Sequence, residues 1–131
     1  MEPQMHADRR RLNEICPTVI GCSYTVQNKL GTGFLEKVYE NALAVELRRA
    51  GLFVEQQKGV KVVYDGIVVG EYCADLLVEH CVLVELKVVK EFDDIHMAQC
   101  LNYLKATGLR VCLLINFGAP SVEVKRLVNK F

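Results

Sequence analysis

Several features that mark whole classes of protein are missing from this sequence. None of its apolar runs approaches the roughly 18 residues that a membrane-spanning helix needs. The start, MEPQMHADRRR, is polar and lacks the apolar stretch of a secretory signal. Net charge is also missing, because 16 basic and 16 acidic residues cancel. This balance argues against binding duplex nucleic acid by charge alone, so such a partner would need a local basic patch or a metal ion.

The six cysteines lack the spacing of a disulfide framework. They are scattered along the chain with no C-x-x-C pair, and most have apolar neighbours. Cysteines of this kind are expected to be small buried hydrophobes in a reducing compartment, and zinc is not expected. We therefore predict a cytoplasmic protein with no membrane partner.

What the sequence does contain is enough apolar material for one core. Of its 131 residues, 51% are hydrophobic, which favours a compact domain over disorder. No repeat, low-complexity tract or linker divides the chain. We expect residues 1–12 to be a flexible lead-in and residues 13–131 to form a single domain.

The hydrophobic periodicity alternates between helical and extended spacing. Helical spacing is found at residues 15–30, 34–50 and 94–107. Extended segments are indicated at residues 54–57, 60–64, 67–78, 81–89 and 111–117. Asp65-Gly66 is a strong signal for a two-residue hairpin turn, whereas residues 121–128 fit either a strand or a short helix. The order α-α-β-β-β-α-β predicts an α/β fold with a central mixed β-sheet flanked by helices.

One stretch, DLLVEHCVLVELK at residues 75–87, raises a specific question. Two branched apolar runs around a polar break predict a hairpin, yet an Asp opens the first run and Glu-Leu-Lys closes the second. Charges inside a buried strand are costly unless something pairs with them. A two-residue turn would point Glu85 away from Asp75, whereas a three-residue connection at residues 79–81 would set them side by side. We expect the longer connection or an equivalent bulge.

Two facing carboxylates favour a divalent cation. Held about 5 Å apart, they repel and raise each other's pKa unless a cation lies between them. Their hard oxygens suit Mg²⁺ or Mn²⁺, with the carbonyl of Leu86 as a further oxygen ligand. Lys87 shares the face of Glu85 and could orient a water nucleophile or stabilise the transition state. The alternative without a function is a solvated Asp75 beside an exposed Glu85–Lys87 pair.

The helices add polar side chains that could join such a site. Glu36 and Glu40 share one line of the second helix, at the margin of its apolar face. We favour Glu40 as a further metal ligand or water-positioning base and Glu36 as a neighbour, although the helix dipole alone would also favour an acid at Glu36. On the third helix, Gln99 and Tyr103 form a polar face able to grip a phosphate or hold a carboxylate; a plain outer surface is an equal alternative.

Taken together, these residues resemble a known family. GFLEKVYENAL carries G-x-x-E-x-x-Y at Gly33, Glu36 and Tyr39, the signature of the GxxExxY proteins, which belong to the PD-(D/E)XK nuclease superfamily. The resemblance continues through YDGIVVGEYCADLLVE, VLVELK, AQCLNYL and LLINFG, over roughly residues 13 to 128. It implies a restriction-endonuclease-like core.

The resemblance also implies roles for individual residues. The metal-binding Asp, the E-x-K motif and the helical acid of the RecB-like exonuclease branch fall on Asp75, Glu85, Lys87 and Glu40. The Q-x-x-x-Y motif of the same branch falls on Gln99 and Tyr103. Ala74 stands where the proline that names the superfamily would precede the Asp.

The implied function is a Mg²⁺- or Mn²⁺-dependent nuclease that hydrolyses phosphodiester bonds in nucleic acid. DNA is the expected substrate, and end-processing is favoured over site-specific cutting. Candidates for contact with the nucleic-acid backbone are Arg110, Lys105, Lys90, Lys58 and Lys61. A domain this small is expected to act as a homodimer or in a larger complex. The alternatives are a non-catalytic nucleic-acid- or protein-binding module on the same fold, and a structural interaction protein with a salt-bridged hairpin.

Overall fold

A computed structural model describes residues 3–129 of the chain, with side chains from residue 11 onwards. The helices are α1 (Pro3–Leu30), α2 (Glu36–Arg49) and α3 (Asp94–Thr107). The strands are β1 (Val54–Tyr64), β2 (Ile67–Val78), β3 (Val82–Lys87), β4 (Val111–Asn116) and β5 (Glu123–Val128). The predicted order of elements is confirmed, and the segment that fitted a strand or a short helix contains a strand.

The strands form one sheet in the order β1-β2-β3-β4-β5. Neighbouring strands are antiparallel except for β3 and β4, which run parallel. Parallel neighbours require a crossover connection, and α3 supplies it. The predicted mixed sheet with flanking helices is therefore confirmed.

Helix α1 begins earlier than the sequence indicated. The helix includes residues 3–12, while residues 1–2 lie outside the described part of the chain. Proline suits the first position of a helix because it has no N–H to leave unpaired. Leu12 is buried, and Arg11 Nη2 donates a hydrogen bond to the carbonyl oxygen of Glu79 at 3.0 Å. In the described residues, no helix has the length and apolarity needed to cross a membrane.

Two turns set the register of the first three strands. Asp65 and Gly66 both have positive φ angles, 50° and 79°, as a tight two-residue hairpin turn requires. At the second turn Val78 pairs with Val82, which leaves residues 79–81 as a three-residue connection. The longer of the two connections considered for this hairpin is therefore confirmed.

The sheet separates two hydrophobic cores. The core between the sheet and helices α1 and α2 includes the fully buried Tyr39 and Leu76. The core between the sheet and α3 includes Ala74 and Leu77. Ala74 and Leu76 both adjoin Asp75 in β2, yet they lie in different cores. Strict alternation along a strand would put them on one face, so the alternation of β2 breaks at Asp75.

The first two strands extend beyond the part of the sheet that the cores enclose. We call residues 59–73 the hairpin arm. It exposes six large apolar side chains, those of Val63, Tyr64, Ile67, Val68, Val69 and Tyr72. The arm thus presents apolar surface to solvent, unlike the rest of β2.

Candidate active site

Asp75 and Glu85 lie side by side on adjacent strands. The register of β2 and β3, in which Leu76 pairs with Val84, places residue 75 opposite residue 85. The backbone N–H of Asp75 donates to Glu85 Oε1 at 2.8 Å, and the backbone N–H of Leu86 donates to Asp75 Oδ2 at 2.8 Å. Each carboxylate therefore accepts a hydrogen bond from the other strand, which fixes both acids relative to the sheet.

Burial and mutual repulsion act on the protonation of this pair. Glu85 is only 3% exposed, and desolvation followed by the negative charge of Asp75 raises its pKa to about 8. Desolvation also raises the pKa of Asp75, against the opposing effect of the hydrogen bond from Leu86. Ionising both carboxyl groups therefore costs free energy, and a bound cation would lower this cost.

Glu40 lies beside the pair and is held by amide and ammonium donors. Its side chain is buried, and its Oε2 accepts hydrogen bonds from Gln56 Nε2 at 2.8 Å and Lys37 Nζ at 3.1 Å. Its Oε1 accepts from Gln57 Nε2 at 2.8 Å. The same Gln57 amide donates to Asp75 Oδ1 at 3.3 Å. Gln57 therefore connects Glu40 to the facing pair.

Gln57 reaches both acids because its backbone departs from strand geometry. Successive side chains of a strand point to opposite faces, yet Gln56 and Gln57 both donate to Glu40. The cause is the φ angle of Gln57, 53°, in the left-handed region that residues other than glycine rarely adopt. Such strain costs about 1–3 kcal/mol and is often found at functional sites. Sequence reasoning missed both glutamines, whose only signal is a polar pair within an extended segment.

The Gly and Tyr of the G-x-x-E-x-x-Y motif shape the connection between α1 and α2. Gly33 has a φ angle of 107°, which suits glycine. The Tyr39 hydroxyl donates to the carbonyl oxygen of Gly31 at 2.6 Å and accepts from the backbone N–H of Phe34 at 3.3 Å. The Tyr39 ring stacks on Phe117 with centroids 4.8 Å apart. These contacts anchor the start of α2.

The Glu of the motif belongs to the group of acids. Glu36 is the first residue of α2 and its side chain is exposed. Partial desolvation and then the negative charge of Asp75 raise the pKa of Glu36, while Lys87 opposes the rise. Glu36 therefore lies close enough to the pair for their charges to interact, on the side that faces solvent. The helix dipole also favours an acid at this first position of α2.

Lys87, Gln99 and Tyr103 line one cavity of about 550 Å³ next to the acids. Helix α3 starts at the Asp93 cap, whose side chain accepts from the backbone N–H of Ile95 at 2.7 Å. Gln99 Nε2 donates to the Tyr103 hydroxyl at 3.0 Å. Desolvation, followed by the negative charge of Glu85, raises the pKa of Tyr103 to about 12. The predicted polar face of α3 is thus turned towards the acids.

Comparison with family models shows the family of this chain. The model of the PD-(D/E)XK nuclease superfamily, PDDEXK_3, matches residues 13–127, which is most of the chain. The chain belongs to the PD-(D/E)XK nuclease superfamily. No curated protein matches it.

Two solved structures resemble this superfamily member in fold. One is an alkaline exonuclease (LHK-Exo) from Laribacter hongkongensis, with a TM-score of 0.55 and 14% identity over 83% of this chain and 68% of that chain. The other is SSO0001, with a TM-score of 0.53 and 15% identity over 95% of this chain and 62% of that one. The restriction-endonuclease-like core that the resemblance implies is confirmed.

The acids of this nuclease-superfamily protein fit a divalent metal ion. Among the side chains that the structure describes, no three His, Cys, Asp or Glu residues form a ready-made metal site. Protein donors hold Asp75, Glu85 and Glu40. The donor set nevertheless suits a hard cation, since two adjoining carboxylates with raised pKa values supply oxygen ligands. Members of the superfamily generally use divalent metal ions.

The structure separates the predicted backbone-contact residues. Lys61 and Lys105 line one cavity of about 430 Å³. Lys58 forms an ion pair with Glu55 at 3.6 Å, and Arg110 lines a different cavity, beside Arg11. Lys90 is exposed. Only the first two lie where they could extend the site.

Proposed function

We propose that this chain is a Mg²⁺- or Mn²⁺-dependent nuclease that hydrolyses phosphodiester bonds in DNA, working from strand ends. The observation that carries the proposal is the meeting of Asp75 and Glu85 on adjacent strands, with Lys87 two residues further along β3. Superfamily membership supports action on nucleic acid. The fold likeness to a protein described as an alkaline exonuclease is consistent with action at ends.

The acids would hold the cation. Asp75 and Glu85 are the ligands we propose, joined by Glu40 and by the carbonyl oxygen of Leu86. When bound, a divalent cation supplies positive charge and Lewis acidity at the scissile phosphate. The contribution of the chain itself is to fix the acids through the Leu86 amide and the Gln57 side chain before substrate arrives.

Lys87 is proposed to hold the attacking water and to compensate charge on the phosphate. Burial raises the pKa of both Asp75 and Glu85, and the positive charge of Lys87 counteracts that rise, so the ammonium is close to both acids. In the overall reaction, water adds to phosphorus, the P–O bond to one sugar oxygen breaks, and that oxygen leaves with a proton.

Tyr103 and Gln99 are proposed to position the phosphate. A tyrosine hydroxyl keeps its proton at neutral pH, and the burial that raises the pKa of Tyr103 to about 12 extends this to alkaline pH. Gln99 donates into the hydroxyl oxygen, which leaves the O–H free to donate to a phosphate oxygen.

The test is cleavage of end-labelled single-stranded, blunt duplex and nicked DNA, closed circular DNA and RNA, with Mg²⁺, Mn²⁺ or EDTA. We expect stepwise shortening of linear DNA that needs the metal, intact circles, and a loss of about 10²–10³-fold in rate for Lys87→Ala. Lys90→Ala, on an exposed lysine three residues on, is the matched control. Failure of every metal and substrate combination would favour a non-catalytic binding module on this fold.

Other expectations from the sequence stay predictions. They are membership of the GxxExxY family and the RecB-like branch, the division at residue 12, a homodimer or larger complex, and a cytoplasmic location.

A further inference from the structure

Two adjoining cavities form a groove between α3 and the hairpin arm, which begins beside Lys87. The cavity of about 550 Å³ beside Lys87 and the cavity of about 430 Å³ beside Lys105 share Val62, Tyr72 and Asn102 in their walls. The hairpin arm forms one side of the groove and α3 the other. Each cavity has the volume of a pocket for a small organic molecule, about 300–1,000 Å³.

We propose that this groove binds an unpaired stretch of a nucleic-acid strand and leads it to the acids, with Tyr72 as the surface on which a base stacks. The inference deepens the proposed nuclease and rests on it. It names the form of nucleic acid, a single strand, that the site takes.

The charge of the groove supports this occupant. Among the described residues that line the two cavities, Lys61, Lys87 and Lys105 are cationic, and none is Asp or Glu. The lining of the two cavities is therefore basic in a chain with as many acidic as basic residues, although Glu71 pairs with Lys61 across β1 and β2 just outside this lining. A basic groove of this kind follows a phosphate backbone.

The aromatic and apolar walls decide between a single strand and a duplex. Tyr72 is 53% exposed, and its ring lies 6.0 Å from that of Tyr103. Val62 and the exposed Ile95 extend this apolar surface within the groove. Bases in a duplex are already stacked and paired, so only an unpaired base can use a free ring face.

The test is fluorescence anisotropy of labelled oligo(dT) and of a blunt duplex of the same length, in EDTA, with the oligonucleotide checked for integrity on a denaturing gel. We expect tighter binding of the single strand. Tyr72→Ala should weaken that binding about 5- to 150-fold, the range for loss of one base–aromatic stack, while Tyr72→Phe retains it. Tyr64→Ala is the matched control, because Tyr64 is an exposed tyrosine of the same arm that does not line the groove.

Salt dependence gives a second readout. Lys61→Ala and Lys105→Ala should each reduce the slope of log K against log salt concentration by about 0.7, as expected for one phosphate contact on a single strand. Lys125→Ala, on the opposite edge strand, should leave the slope unchanged. Thermal melts of each variant separate loss of folding from loss of binding.

Equal binding by Tyr72→Ala and Tyr64→Ala, or a duplex bound as tightly as the single strand, would overturn the inference. If the wild-type chain cleaves DNA while these variants bind normally, the groove assignment fails and the nuclease stands. If the groove variants lose binding while the wild-type chain cleaves no substrate, the groove stands and the nuclease fails.

Discussion

The two halves of the β1–β2 hairpin belong to the same pair of strands, yet they differ in burial and in what their side chains contact. The inner half, residues 54–58 with residues 74–78, contributes Leu76, Leu77 and Val78 to the cores and holds Asp75 against Glu85. The arm, residues 59–73, is mostly exposed and forms a wall of the groove.

This difference shows which roles need burial within the protein and which need exposure to solvent. In the inner half a carboxylate can be fixed by hydrogen bonds and its pKa raised by burial, because helices cover both faces of the sheet. On the arm, solvent screens charges, and ring faces and ammonium groups stay accessible to a ligand. We therefore expect substitutions in the inner half to change chemistry and folding, and those on the arm to change binding alone.

The sharpest contrast is between two aspartates of the same hairpin. Asp75→Asn keeps the shape of the side chain but removes the charge that would hold the cation, so we expect cleavage to fall at least about 10³-fold, or about 4 kcal/mol in activation free energy. Asp65→Asn in the exposed turn should leave the rate unchanged, because Asn tolerates the positive φ of Asp65. Single-turnover cleavage kinetics measure both; equal rates for the two variants would break the comparison.

Substitutions in the inner half should also lower the free energy of unfolding more than substitutions on the arm. Leu76 is fully buried, so Leu76→Ala should lower the free energy of unfolding by about 2–5 kcal/mol. Ile67 is 66% exposed on the arm, so Ile67→Ala should change it by less than about 0.5 kcal/mol. Urea denaturation measures both values. A large loss for Ile67→Ala would mean that the arm is covered in solution, as in a homodimer.

The pH dependence of stability should come from the enclosed acids. Burial raises the pKa of folded Glu85 to about 8 from an ordinary 4.5, so between these values the folded state holds a proton that the unfolded state has lost. The stability from this group is complete below about pH 4.5 and is lost as the pH rises through about 8. The loss in metal-free buffer should be on the order of a few kcal/mol, since each pKa unit corresponds to about 1.4 kcal/mol.

Denaturation at several pH values, with EDTA and with Mg²⁺, measures this loss. Glu85→Gln should flatten the profile, whereas Glu71→Gln on the exposed arm should follow the wild type. Mg²⁺ at high pH should restore stability to the wild type only, by binding the folded state. Parallel profiles for the wild type and Glu85→Gln would show that this acid does not control the stability.

The smallest expected effect belongs to Gln57. Gln57→Gly removes the amide that joins Glu40 to Asp75 but suits the φ angle of 53° at this position. We expect little change in stability and a loss of about 3- to 30-fold in the maximal rate, about 0.7–2 kcal/mol. The concentration of Mg²⁺ needed for half-maximal rate should rise as well, a readout that a merely structural role would not move. If the Mg²⁺ concentration for half-maximal rate is unchanged, Gln57 does not contribute to metal binding at the site.

Much of the site follows from sequence because strand geometry is periodic. The facing of Asp75 and Glu85 depends on the number of residues in the connection at 79–81, for which two alternatives existed, and on regular alternation from that connection to Asp75. The hydrogen bond between Gln99 and Tyr103 follows from their spacing of four on a helix, which puts both side chains on one face.

The rest depends on conformations that residue types do not indicate. Gln57 is in the left-handed region without being Gly or Asn, so no sequence signal shows that Gln56 and Gln57 both reach Glu40. Residues 3–12 of α1 lack the apolar stripe that identifies the helix further on. The sorting of Lys61 and Lys105 into the groove depends on how α3 packs beside the arm, which is a tertiary property.

Mn²⁺ binding, measured by isothermal titration calorimetry, tests the central claim most directly. We predict saturable binding by the wild-type chain and by Asp65→Asn. Asp75→Asn and Glu85→Gln should each lose at least about 10-fold in affinity, which is the loss that removal of an outer-shell partner of a ligand alone causes. Equal Mn²⁺ affinity in all four proteins, or no binding by the wild type, would contradict the account.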